Sequence, residues 1–212
     1  MSDTLLVGVM LALSGGFMDA YSYIQRGEVF ANAQTGNILL FGVRLSEGNF
    51  DVALQYFIPI LAFFLGIMLV DMTRLQHIQK LHWRQLTILI EAIILLGVCF
   101  VPLHFNLIAN SLTSLACGMQ VESFRKIHGL STATTMCIGN LRSGTENLSL
   151  YIHSKERQYL HRSLLYFGII GCFVLGAILG NYVISYMHQY AMIVCVVILI
   201  IVFIMMFKEE VY

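Results

Sequence analysis

Charge is what this sequence most lacks: Asp, Glu, Lys and Arg together make up 11% of the chain, against 58% hydrophobic residues. Soluble domains carry roughly 25% charged residues, so an ordinary soluble fold is excluded. The 12 basic and 12 acidic residues cancel, and no bulk field draws the chain to nucleic acid. Proline is nearly absent. Its two copies, Pro59 and Pro102, lie inside apolar runs, where they kink helices rather than mark linkers. Cysteine occurs five times without C-x-x-C spacing, which argues against a disulfide framework or a zinc site and for small buried hydrophobes. Histidines with metal-ligand spacing, a nucleophile at an interpretable distance from a base, and a phosphate loop are all missing. Neither a metal, a cofactor nor an enzyme activity is therefore expected. The first apolar run follows Met1-Ser2-Asp3-Thr4, which has no basic start of the kind a signal peptide carries, so it reads as a retained span.

Long uncharged runs are present instead. Residues 52–70, 92–121 and 163–207 contain no Asp, Glu, Lys or Arg. Each run can supply one or two helices of the roughly 20 apolar residues that cross a bilayer. The fold class read from this pattern is all-α: a polytopic transmembrane bundle forming a single membrane domain over residues 1–212. Six spans are expected, at about 4–24, 52–70, 86–103, 106–124, 164–187 and 191–207. Two further apolar segments, 29–43 and 130–141, are too short for a comfortable crossing. Asn32, Gln34, Thr35, Gly36 and Asn37 interrupt the first, and Gly139 and Asn140 interrupt the second. Residues 142–162 read as a charged connection.

The interruptions echo one another. Met18-Asp19 aligns with Met119-Gln120, Gly36-Asn37-Ile38 with Gly139-Asn140-Leu141, and Phe63-Phe64-Leu65-Gly66 with Phe173-Val174-Leu175-Gly176. Three matches in one order indicate two repeats, 4–103 and 104–207. The loop at 74–84 and the connection at 142–162 are both basic, and the positive-inside rule assigns both to the cytoplasm. Three crossings per repeat then give inverted topology, with two re-entrant segments facing opposite sides and both termini cytoplasmic. Eight full crossings are the rival reading, at the cost of exporting one basic loop.

At Gly15-Gly16-Phe17-Met18-Asp19-Ala20, Thr35-Gly36-Asn37, Gly118-Met119-Gln120 and Gly139-Asn140-Leu141 the chain resembles the YoaK family of uncharacterised bacterial membrane proteins. The resemblance covers nearly the whole chain. It implies a multi-spanning inner-membrane protein of about six helices and brings no established activity. Val121 and Ile138 depart from the pattern, which has asparagine and threonine at those positions.

Two short, interrupted hydrophobic segments in corresponding positions point to a midplane binding site in secondary transporters. A broken helix frees backbone N–H and C=O groups at membrane depth, and protein, water or solute must satisfy them. The candidate solute-binding residues are therefore Thr35, Gly36, Asn37, Gly139, Asn140 and Gln120. Asp19 and Glu91 are ionisable groups within spans, which are costly there and mark candidate proton or cation coupling. The bland alternative is that the breaks only pack, with Asp19 bonded to an amide such as Gln120. Glu122 and Arg125, at i and i+3, read as an interfacial pair. The Gly176-x-x-x-Gly180 face reads as close helix packing and could serve a homodimer. The function expected is an inverted-repeat carrier for a small solute, coupled to protons or a cation, with a small channel or a non-transporting scaffold as alternatives. Its partners would be the bilayer and that solute.

Overall fold

A computed structural model describes residues 4–75, 83–127, 130–131 and 134–208. Most of the basic loop expected at 74–84, and residues 132–133 of the second broken segment, lie outside the described residues. Among the described residues eight α-helices follow in order: α1 (Leu5–Gln25), α2 (Gln34–Ser46), α3 (Phe50–Leu75), α4 (Trp83–Phe100), α5 (Asn106–Ser123), α6 (Cys137–Ser154), α7 (Arg157–Met187) and α8 (Ile193–Lys208). Between α5 and α6, two-residue strands β1 (Lys126–Ile127) and β2 (Leu130–Ser131) pair antiparallel. Among the described residues, four stretches are long and apolar enough to cross a membrane: Leu5–Gln25, Phe50–Thr73, Trp83–Phe100 and Arg157–Met206. The last contains both α7 and α8.

Local chemistry sets the ends of these helices. The Thr4 hydroxyl accepts the Val7 N–H at 3.5 Å and caps α1. Gly27 and Glu28, with φ of 86° and 60°, turn the chain out of α1. Pro59 sits inside α3 without ending it, as membrane helices tolerate when neighbours re-satisfy the freed carbonyl. The charged connection expected at 142–162 is helical instead. α6 occupies most of it, and α7 begins at Arg157, seven residues ahead of the expected span. Arg142 and Glu146 lie exposed on α6, while Gly144 faces α7. One packed face is enough for a helix that is otherwise polar.

Helix directions follow from which ends meet. At one end of the bundle the Arg26 guanidinium, just past α1, donates to the carbonyl of Val98 in the last turn of α4 at 3.1 Å. The Tyr21 hydroxyl there donates to the carbonyl of Gln189, in the turn between α7 and α8. Gln55, near the start of α3, and Asn106, the first residue of α5, lie at the same end. At the opposite end Arg125, just past α5, lies 3.9 Å from Asp71 late in α3 and pairs with Glu122. Helices α1, α4 and α7 thus run one way, and α3, α5 and α8 run the other. Arg26, a charge just past the end of α1, is buried, because its long side chain turns back under the helix ends.

Two crossings bring backbones into direct contact. Gly16 meets the Phe173 carbonyl and Gly176 that of Leu13, where α1 crosses α7. Gly118 meets the Phe63 carbonyl and Gly66 that of Leu115, where α3 crosses α5. A methyl at any of the four would strike a carbonyl oxygen. Gly180, in the same row as Gly176, lies against Ala20 and Phe17 of α1, so this small-residue face is filled from within the chain. Helix α4 packs on α8 and completes an apolar core around Leu95, Val98, Leu199 and Val202.

Candidate solute-binding site

Helix α2 packs on α3, with Phe41 stacked on Phe57 at 5.0 Å, and α6 packs on α7, where the Ser163 hydroxyl donates to the Gly144 carbonyl at 2.9 Å. From these supports the N-terminal ends of α2 and α6 converge. A cavity of about 560 Å³ lies between them, lined by Asn32–Thr35 on one side and Thr135–Ile138 on the other. Asp19 lies on its wall, and Phe63 and Phe173 face it from the two glycine crossings. The surface of the cavity is mostly apolar, so its few polar atoms decide what it can hold.

Asp19 anchors the first break. Its Oδ1 accepts the Asn32 N–H at 2.7 Å, and the backbone N–H groups of Ala31 and Ala33 also face the carboxylate. The acid stands at the start of α2, where unpaired N–H groups and the helix dipole favour negative charge. Its partner is therefore backbone rather than the Gln120 amide. Asn32 donates through Nδ2 to the Gly15 carbonyl at 3.2 Å, and its Oδ1 is buried with no protein donor. The Thr135 hydroxyl, also on the cavity wall, is likewise buried without a partner. The cavity thus gathers a carboxylate and two oxygens with no protein partner, walled by Tyr23, Phe30, Phe63 and Phe173.

The sequence-derived candidates divide into three groups. Asp19 and Thr35 line the cavity. Gly36 and Asn37 stand behind it and hold the break in shape. The Asn37 Oδ1 accepts the Phe30 N–H at 3.0 Å, while Nδ2 donates to the Phe30 carbonyl at 2.7 Å and to Gln34 Oε1 at 2.9 Å. A Cβ on Gly36 would lie 2.8 Å from the Phe30 ring. The remainder are off the cavity wall. Gly139 is exposed with nothing near it, and Asn140 is buried in the first turn of α6. Gln120 donates to the Leu11 carbonyl at 3.3 Å and to the Thr134 hydroxyl at 3.4 Å. Glu91 is fully buried in α4, and both carboxyl oxygens lack a donor. Asn32 and Thr135 were missed as site residues. Both stand within the polar knots, so the signal was a side chain just ahead of each Gly-Asn pair.

A family model described as "Protein of unknown function (DUF1275)" matches residues 7–205. The chain belongs to the DUF1275 family. It is 26% identical over 181 residues to a Bacillus subtilis (strain 168) protein named "UPF0700 transmembrane protein YoaK", a match covering 80% of this chain and 79% of that one. The resemblance carried by the glycine-acid and Thr-Gly-Asn signatures is thereby borne out, and with its apolar helices this DUF1275 chain is a membrane protein. No solved structure matches it.

Proposed function

We propose that this protein carries a small amine-bearing or cationic solute across the bacterial cytoplasmic membrane. The observation that carries the reading is the single cavity joining Asp19 to the ends of both broken segments. Its polar groups include the Asp19 carboxylate and two oxygens that lack a partner and can accept, Asn32 Oδ1 and Thr135 Oγ1. A cation answers that set, and four aromatic rings add favourable faces for an ammonium group.

The architecture proposed is two inverted repeats of three crossings, with α2 and α6 as re-entrant elements and both termini cytoplasmic. The reciprocal crossings support it, since exchanging α1 with α5 and α3 with α7 maps Gly16–Phe173 onto Gly118–Phe63 and Gly176–Leu13 onto Gly66–Leu115. So do the opposed directions of α1 and α5, α3 and α7, and α4 and α8. That register sets Gly16 opposite Gly118, one residue away from the alignment of Met18-Asp19 with Met119-Gln120. In it Val121 stands opposite Asp19, which leaves the ionisable chemistry in the first repeat. Asp19 is the coupling residue, exchanging its counter-cation between proton and solute as the halves rock. Glu91, orphaned in the core, is the second coupling candidate.

Purified full-length protein in detergent, screened with methylammonium, putrescine and tetramethylammonium, tests the solute class by thermal stabilisation. Uptake of the responding amine into proteoliposomes, driven by a pH gradient, tests carriage. Stabilisation and uptake that disappear in Asp19→Asn support the reading. Folded protein that responds to no amine and moves none sinks it in favour of a non-transporting scaffold.

A further inference from the structure

The Arg26 end of the bundle holds a second polar feature, unrelated to the Asp19 cavity. Arg26 is 1% exposed. Its Nε donates to the Tyr21 hydroxyl oxygen at 2.9 Å and one terminal nitrogen to the Val98 carbonyl at 3.1 Å. The other terminal nitrogen makes long contacts, 3.4 Å to the Pro102 carbonyl and 3.5 Å to Asn106 Oδ1. Every acceptor is neutral. Among the described residues no carboxylate pairs with this guanidinium, since the ion pairs found there involve Arg44 and Arg125. A guanidinium offers five N–H donors and four hydrogen bonds are made, so a donor remains along with the whole of the charge.

A cavity of about 350 Å³ opens beside it, lined by Arg26, Gln55, His104, Asn106 and Asn110 among others. Its lining is far more polar for its size than that of the Asp19 cavity. Asn110 is 2% exposed and donates through Nδ2 to the Arg26 carbonyl at 2.8 Å. Its Oδ1 is buried with no donor. A buried charge without a counter-ion, and a buried acceptor without a donor, are each costly when left unmade. Arg26 and Asn110 both line the same cavity.

We infer that this cavity is a binding site for a small hydroxycarboxylate. The carboxylate sits against the Arg26 guanidinium, and the neighbouring hydroxyl donates to Asn110 Oδ1. A planar oxyanion that displaces the long Nη1 contacts to Pro102 and Asn106 is favoured over a halide, because the edge formed by Nη1 and the remaining Nη2 N–H then recognises two oxygens at once. The unsatisfied Asn110 oxygen favours a ligand that carries a donor over a plain carboxylate. A site built to receive a hydroxyl rejects the analogue without it, since the buried acceptor is then left unpaired.

Full-length protein in detergent is titrated with sodium lactate, sodium propionate and sodium chloride at matched ionic strength, read by isothermal calorimetry and by the melting temperature. Lactate is expected to bind saturably, propionate at least tenfold more weakly, and chloride not at all. Arg26→Gln should abolish lactate binding, but Arg26 also ties the ends of α1 and α4 to the start of α5 and that variant can fail to fold. Gln55→Glu keeps the decision open, because Gln55 is exposed and engages in no described hydrogen bond. Its new carboxylate, facing the same cavity, should weaken lactate at least tenfold. Lactate that does no more than chloride overturns the site. So does wild-type lactate affinity in Gln55→Glu, and propionate binding equal to lactate overturns the hydroxyl-bearing class.

Discussion

Replacing Gly16 or Gly118 by alanine tests the reciprocal crossings directly. At Gly16 the added methyl would overlap the Phe173 carbonyl oxygen and lie 2.8 Å from its carbon and 3.0 Å from the Ala177 nitrogen. At Gly118 it would overlap the Phe63 carbonyl and lie 3.0 Å from the carbon and 3.2 Å from the Phe63 Cα. Non-bonded carbons settle at about 3.5–4.0 Å, so each pair of helices must part by roughly 1 Å. A gap of that size forfeits about a quarter to a half of each contact's attraction, and the hindrance is backbone, which cannot swing away as a side chain would. Overpacking of this kind costs about 1–3 kcal/mol, and both variants belong at the upper end. Gly97 supplies the control, because a Cβ there meets nothing within 4 Å on the exposed side of α4. Gly97→Ala gains helix propensity of up to about 1 kcal/mol. Thermal unfolding in one detergent should rank Gly97→Ala at or above wild type, with Gly16→Ala and Gly118→Ala well below it and close to each other. A Gly16→Ala protein as stable as Gly97→Ala refutes the crossing geometry, and a large gap between the two destabilised variants refutes its reciprocity.

Asp19→Asn removes the charge and turns an amide N–H₂ toward the backbone N–H groups of Ala31 and Ala33; loss of a buried charged partner should weaken an amine by about 2–5 kcal/mol, read as a Kd at least thirtyfold higher, and an unchanged Kd removes the acid from the site. Asn37→Ala leaves the Phe30 N–H and carbonyl without their partner, which costs about 1–3 kcal/mol for each unsatisfied buried group and should appear as a lower melting temperature; a neutral result would mean that the break is held elsewhere. Cys137 lines the cavity while Cys99, Cys117 and Cys195 are buried. A small maleimide should therefore label Cys137 in the folded protein, and a bound amine should slow that labelling while Cys172, which is off the cavity wall, keeps its rate. Equal protection of both cysteines would point to general stiffening rather than occupancy.

The helices and the breaks between them were legible because hydrophobic run length and the placement of glycine and asparagine are local properties. Helix α6 was not. Arg142, Glu146 and Asn147 made it look like a connection, and only its packing along α7 accounts for a helix there. Asp19 was legible because an acid in an apolar run has to be explained. Asn37 and Gly36 were legible as important but misassigned, because a side chain that staples the Phe30 backbone and one that meets solute call for the same residue types. Asn32 and Thr135 needed the fold, since their significance is an oxygen left without a donor after every neighbour has been placed. Arg26 needed the fold for a related reason: in sequence it is a charge at the end of a span, and only the carbonyls and hydroxyl gathered from α1, α4 and the following turns account for its burial.

By itself the sequence determined that this is a membrane helix bundle with two acids, Asp19 and Glu91, inside apolar runs and two polar breaks. Transfer of uncharged runs into lipid and the cost of unpaired backbone there are fixed residue by residue. Tertiary structure alone decided that the two breaks share one cavity, because that depends on α1 meeting α7 and α3 meeting α5 closely enough for Gly16 and Gly118 to touch carbonyls. Between helices surrounded by lipid, such close approach is set by which small residues come into register, and register between distant segments is not a property of either segment. The stretch from Gly15 to Asn37 therefore carries its polar groups in its own residues but becomes half of a cavity wall only where Thr135 completes it.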